Sequence, residues 1–99
     1  MIIVVAAFQA KAGMGKELEE IFKGAIPIVQ EEEGAIVYTL HQAVDDPNKF
    51  LFYEVYLDQE SFDEHNSQPF LRDIMKAARG IIEEKPDICF YKAIASVKR

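Results

Sequence analysis

The stretch that most limits the fold is Ile2-Ile3-Val4-Val5-Ala6-Ala7-Phe8, seven apolar residues with no polar break. β-branched residues favour the extended chain, and a strand with one face in water alternates apolar with polar. This one does not alternate, so both of its faces are predicted to be buried. It lacks a basic lead-in and reads as a strand rather than a signal peptide. A strand covered on both faces needs neighbours, and 99 residues must supply them all. That length makes one domain, residues 1–99. Half of the chain is apolar (49%), enough for a core without staples. A domain of this size still buries only about two-thirds of its unfolded surface, so association is expected wherever strand faces outrun the helices that cover them.

The remaining elements follow in order. Ala12-Gly13-Met14-Gly15 breaks the first strand. From Lys16 to Glu32, Leu18, Ile21, Phe22, Ala25, Ile28 and Val29 recur on one side at helical spacing, with Lys16, Glu19, Glu20 and Lys23 outside. Pro27 lies inside this helix and is expected to kink it or remove one bond. Gly34 stands where a helix C-terminus takes glycine. Glu31-Glu32-Glu33 sits at the negative end of the helix dipole and reads as solvated surface. Ala35–Gln42 alternates as a second strand. Asp45-Asp46-Pro47-Asn48 is a turn signal, and Lys49–Leu57 is a third strand in a hairpin with the second. Asp58 is placed to N-cap a helix through Asn66, because its carboxylate can accept orphan amide hydrogens. Pro69 opens another helix with Phe70, Ile74, Ala77, Ala78, Ile81 and Ile82 on its apolar side, ended by Lys85-Pro86-Asp87. Ile88–Val97 is the last strand.

The order β-α-β-β-α-β predicts an α+β, ferredoxin-like fold, an antiparallel four-stranded sheet with its helices on one face. The strands carry apolar residues on both parities, so the uncovered face implies a partner surface. Homodimerisation through that sheet face is the economical expectation. The formal charge of −6 and the scatter of the eleven basic residues argue against a nucleic-acid partner. No apolar run approaches the ~20 residues of a membrane span. A single cysteine, Cys89, allows no internal disulfide and suits the cytoplasm.

There is no phosphate loop, cysteine pair or nucleophile elbow, and Gly13-Met14-Gly15 is too short for a dinucleotide fingerprint. His41 and His65 lie too far apart in sequence to form a recognisable metal pair, so no metal site is expected. What remains is polar and aromatic. Phe50, Phe52, Glu54 and Tyr56 share one face of the third strand, and Ile36, Tyr38 and Leu40 one face of the second. A carboxylate among aromatics is costly to bury unless it is hydrogen-bonded. Glu54 is therefore either a structural group bonded to a neighbour such as Tyr38 or part of a site. His65 lies one helical turn from Phe62 and so faces the sheet. It is either a structural core histidine or, with a pKa near neutrality beside a cavity, a general base.

Glu33-Gly34-Ala35-Ile36-Val37-Tyr38, Asp46-Pro47, Glu54-Val55-Tyr56, Phe62-Asp63-Glu64-His65 and Pro69-Phe70, in this order and spacing, resemble the antibiotic biosynthesis monooxygenase family. Among its branches the chain is most similar to the small quinol monooxygenases and the relatives that process the autoinducer-2 signal. The resemblance implies a dimeric α/β barrel with a pocket between sheet and helices. It implies oxygenation of electron-rich aromatics by O2 with no cofactor. By position, His65 matches the family's helix histidine, Glu54 the strand acid and Tyr38 the strand tyrosine, giving His65, Tyr38 and Glu54 as the expected catalytic set. Phe8, Phe52, Tyr56, Phe62 and Phe70 are the expected substrate-binding walls. Tyr56 stands where many members have Trp, and Phe70 where some have a second His. The heme-degrading branch is set aside, because Ile74 occupies the region of its axial histidine and the chain has no Trp. Two other functions remain open: an isomerase of a small, autoinducer-2-like metabolite, with Lys49, Arg72 or Arg79 at the pocket mouth, and a non-catalytic small-molecule-binding dimer.

Overall fold

In a computed structural model that describes Met1–Arg99, the apolar opening run becomes β1 (Ile2–Gln9), and it is central. It pairs with β3 (Asp46–Tyr56) on one side and with β4 (Asp87–Tyr91) on the other, while β2 (Ala35–Ala43) pairs with β3 at the far edge. The sheet order is β2-β3-β1-β4 and every pairing is antiparallel. Four helical segments complete the chain: α1 (Gly15–Lys23), α2 (Ala25–Val29), α3 (Gln59–Asn66) and α4 (Pro69–Ala78). This is the expected ferredoxin-like α+β fold.

Register decides which residues meet the helices. Val4, Ala6 and Phe8 of β1 lie opposite Glu54, Phe52 and Phe50 of β3, and Tyr38 and Leu40 of β2 lie opposite Glu54 and Phe52. Directly opposed residues project to the same side of a sheet. The core forms there, with Phe8, Phe22 and Phe52 in edge-to-face contact at centroid separations of 4.6–6.2 Å. Leu18 and Phe22 of α1 and Phe50 of β3 are sealed from solvent. Each such side chain contributes about 1.5–3 kcal/mol of burial.

Several boundaries differ from the sequence expectations, each for a local reason. The first helix breaks at Gly24 into α1 and α2, because Pro27 cannot donate to the carbonyl of Lys23 and its ring crowds that position. The second helix ends at Val29, so Gly34 is not its cap; it sits where a side chain would collide with Ser61 of α3. The hairpin turn falls at Val44-Asp45 rather than over Asp46–Asn48, and Asp46 already pairs with Ala43. The Asp46 carboxylate accepts from the Asn48 amide at 2.9 Å, a local bond within an irregular strand start. A register shift between Ala35 and Val37 leaves Ile36 half exposed rather than beside Tyr38. The last helix stops at Ala78, and Ile82 instead bridges to Ala10. The last strand stops at Tyr91, which pairs with Ile3, because β1 offers almost no residues beyond that point.

Candidate functional site

A cavity of about 190 Å³ lies between the covered sheet face and the helices. Of its fifteen lining residues twelve are apolar; the others are Glu54, His65 and Asn66. Strand parity brings Tyr38 and Glu54 to it side by side, because they are cross-strand partners. The floor is Val4, Ala6, Phe8 and Phe52, and the helices add Phe22, Ala25, Phe62, Leu71, Ile74 and Met75. Ile88 of β4 lines the cavity while more than half exposed, which puts the opening on that side.

His65 arrives on α3, whose start is fixed by Asp58. The Asp58 carboxylate accepts from the Ser61 amide at 2.8 Å, and that bond holds its carboxyl below the usual carboxylate range. The imidazole is 3% exposed and is enclosed by Tyr38, Tyr56 and Phe70, with ring centroids at 5.4, 5.1 and 6.0 Å. Its Nδ1 lies 2.9 Å from Oε1 of Glu32.

Glu54 is also buried, and the Tyr56 hydroxyl donates to its Oε1 at 2.5 Å. The bonding partner is thus Tyr56, on the same strand face, and not Tyr38. Burial pushes the Glu54 carboxyl upward, opposed by the Tyr56 hydrogen bond and the neighbouring His65. Burial also raises the phenols of Tyr38 and Tyr56, and the nearby charge of Glu54 adds to both. Both tyrosines are therefore neutral donors at physiological pH. No protein group hydrogen-bonds His65 Nε2, the Tyr38 hydroxyl or Glu54 Oε2, and all three residues line the cavity. The arrangement offers one bare ring nitrogen, one hydroxyl and one carboxylate oxygen to a small molecule held among aromatic walls.

Of the residues singled out from sequence, His65, Tyr38, Glu54, Phe8, Phe52 and Phe62 meet in the cavity. Tyr56 and Phe70 do not line it. Tyr56 is sealed behind Glu54 and His65, and Phe70 packs edge-on against His65 from outside. Lys49, Arg72 and Arg79 do not line it either. The residue that sequence reasoning missed is Glu32. Its run does not behave as uniform solvated surface: Glu31 and Glu33 are exposed, but Glu32 turns in to His65. Three consecutive glutamates are locally equivalent, and only the approach of α3 selects the middle one. No three His, Cys, Asp or Glu side chains are grouped so as to hold a metal ion.

Residues 1–77 match the sequence family described as Antibiotic biosynthesis monooxygenase, a span from β1 into α4 that includes every cavity-lining residue except Ile88. The chain belongs to that family. A curated relative, an uncharacterized Synechocystis protein, is 23% identical over 91 residues, which is 92% of this chain. The chain spans 62% of the length of that relative. A Nitrosomonas europaea protein described under the same family name superposes with a TM-score of 0.90 at 17% identity, over 96% of this chain and 100% of that one. A variant of SnoaB, a cofactor-independent oxygenase from Streptomyces nogalater, gives 0.85 at 19% identity, over 99% and 97% of the two chains. At these identities the likeness to the two solved structures is one of fold.

Proposed function

We propose that this family member is a monooxygenase that uses O2 without an added cofactor to oxidise a quinol or similar electron-rich aromatic. It belongs, on this reading, with the quinol-oxidising branch, and works as a cytoplasmic homodimer of single-domain subunits paired through the open sheet face. The observation that carries the reading is an apolar, aromatic-walled cavity with one imidazole whose Nε2 is bare. Membership of the family and the fold shared with a cofactor-independent oxygenase support it.

His65 Nε2 takes a proton from the substrate hydroxyl, with the Tyr38 hydroxyl and Glu54 orienting the ring. The resulting anion is a far better electron donor than the neutral phenol and passes one electron to O2. Phe8, Phe52 and Phe62 keep out water that would solvate the anion and quench the radical pair. The radicals combine at a ring carbon, the imidazolium returns its proton to the outer oxygen, and loss of the hydrogen on that carbon with cleavage of the O–O bond releases the outer oxygen as water. The sum is quinol plus O2 giving hydroxyquinone plus water, with the ring supplying all four electrons. An isomerase acting on a phosphorylated metabolite would want basic side chains at the ligand, and no Lys or Arg lines the cavity.

The test is oxygen uptake with a panel of quinols, using protein assayed for metal and flavin content. We expect turnover above the spontaneous rate and a loss of about 10²–10⁴-fold in kcat for His65→Ala, the range for removing a general base. Background uptake throughout, or an unchanged rate in the variant, overturns the reading; ligand binding with no uptake makes the chain a binding protein.

A further inference from the structure

We propose that Glu32 is a positioning residue for His65, fixing the tautomer that leaves Nε2 bare toward the cavity and steadying the imidazolium after proton transfer. The inference rests on His65 being the base, as proposed above. It begins with the 2.9 Å contact between Glu32 Oε1 and His65 Nδ1. An ionised carboxylate has no proton to donate, so in that contact Nδ1 carries the hydrogen and the lone pair of the neutral ring is left on Nε2. A free histidine side chain prefers the opposite tautomer, so the protein must supply the bias.

Two further features separate this contact from incidental packing. The ring is already held by three aromatic neighbours, so the Glu32 bond is not needed to fill space; it adds direction. The other oxygen of Glu32, Oε2, is buried with no partner. A buried, unpaired carboxylate oxygen is costly, and a glutamate serving stability alone gains more by turning outward like Glu31 and Glu33. The charged and titratable groups around the pair are Tyr38 from β2, Glu54 and Tyr56 from β3, Glu64 from α3, and Glu31 and Glu33 beside Glu32. Of the two carboxylates beside the ring, only Glu32 hydrogen-bonds it; Glu54 bonds to Tyr56 and to neither ring nitrogen, which leaves Glu32 as the group that sets the tautomer.

The decisive measurement needs no substrate: ¹⁵N NMR of the histidine rings, with the signals of His65 told apart from those of His41, the other histidine, by His41→Gln. In the wild type at a pH where His65 is neutral, Nδ1 is expected to be protonated and Nε2 bare. Glu32→Gln, whose amide can turn to donate, is expected to lose that single tautomer. In oxygen-uptake assays the same variant should lower kcat about 10–100-fold, the usual effect of removing such an orienting group, and change KM less than about 3-fold. The expected tautomer without any oxygenase activity upholds the Glu32–His65 unit and sinks the oxygenase reading. A wild-type ring protonated on Nε2, or a folded Glu32→Gln protein with tautomer and kcat both unchanged, overturns the inference whatever His65→Ala does. If the variant does not fold, the wild-type spectrum decides alone.

Discussion

Glu54 shows how much a residue's parity reveals and what it leaves out. Its place between Phe52 and Tyr56 on one strand face predicts a carboxylate among aromatics, and it is 7% exposed. Its partner was harder to read. A cross-strand neighbour was the natural choice, yet the bond runs along the strand to Tyr56, two residues on. Parity permits both, and only packing decides between them. The same burial gives a prediction with a definite sign. Because burial raises the folded-state carboxyl above its unfolded value, the folded protein holds this proton more tightly than the unfolded chain. That stabilisation is full below the unfolded carboxylate range, near pH 4.3, and is lost as pH rises through the folded value. Glu54→Gln keeps the acceptor for Tyr56 and removes the charge. It should therefore melt above the wild type at neutral pH. The gain should shrink toward zero as pH falls to about 4. Thermal melts from pH 4 to 8 check it; a difference independent of pH contradicts it.

Among the elements, the two with the strongest sequence patterns formed as expected. The unbroken β1 is central, and α3 begins where Asp58 caps it. The boundaries that moved are set by neighbours rather than by the element itself. β4 is cut short where β1 runs out, although Ile94 and Val97 continue its apolar pattern and stand exposed. Gly34 illustrates the same principle at the site. A helix end was one reason for glycine there; the operative reason is the approach of α3, because a Cβ on Gly34 would overlap the Ser61 side chain. The Gly34 carbonyl also accepts from the Leu57 amide at 2.9 Å, so the residue is pinned to the end of β3 and cannot retreat. This junction sets the distance between Glu32, two residues before it, and His65, four residues after Ser61. Gly34→Ala should cost about 1–3 kcal/mol, the usual range for overpacking. Ser61→Gly alone should cost about 0.5 kcal/mol through lost helix propensity. In that background Gly34→Ala should cost much less, because its collision partner is gone, and urea melts of the double-mutant cycle measure the difference. Simple additivity would show that the collision is relieved elsewhere.

At the scale of the whole molecule, one sheet face is spent on the cavity and the other is left open. Ile3, Val5 and Ala7 of β1 project to the open face with Val55, Tyr53 and Leu51 of β3 opposite them, and Cys89 and Tyr91 of β4 on the other side. No helix covers this surface, yet it is as apolar as a strand buried on both sides. That is why the opening run predicted burial on two faces while a single chain supplies cover for one. In the homodimer proposed above, a second copy would supply the rest, with the two sheets packed face to face about 10 Å apart. Stable pairs of this kind bury about 800 Å² on each partner, and the apolar part of this face runs along β1 and the middle of β3, with Thr39, His41 and Asp87 toward its edges. Light scattering at micromolar concentration should then give twice the chain mass of 11.3 kDa. Tyr53 sits mid-face, opposite Val5 and Thr39, so Tyr53→Lys would place two unpaired charges, one from each copy, within the apolar contact and should yield monomers. Val44→Lys, at the fully exposed hairpin turn, should leave the mass unchanged. A wild type that runs as a monomer, or a Tyr53→Lys protein that still pairs, would mean that some other surface covers the open face. The cavity opens on the opposite side of the sheet, so this experiment separates assembly from chemistry: a folded Tyr53→Lys monomer should retain the His65 tautomer of the wild type even where it no longer pairs.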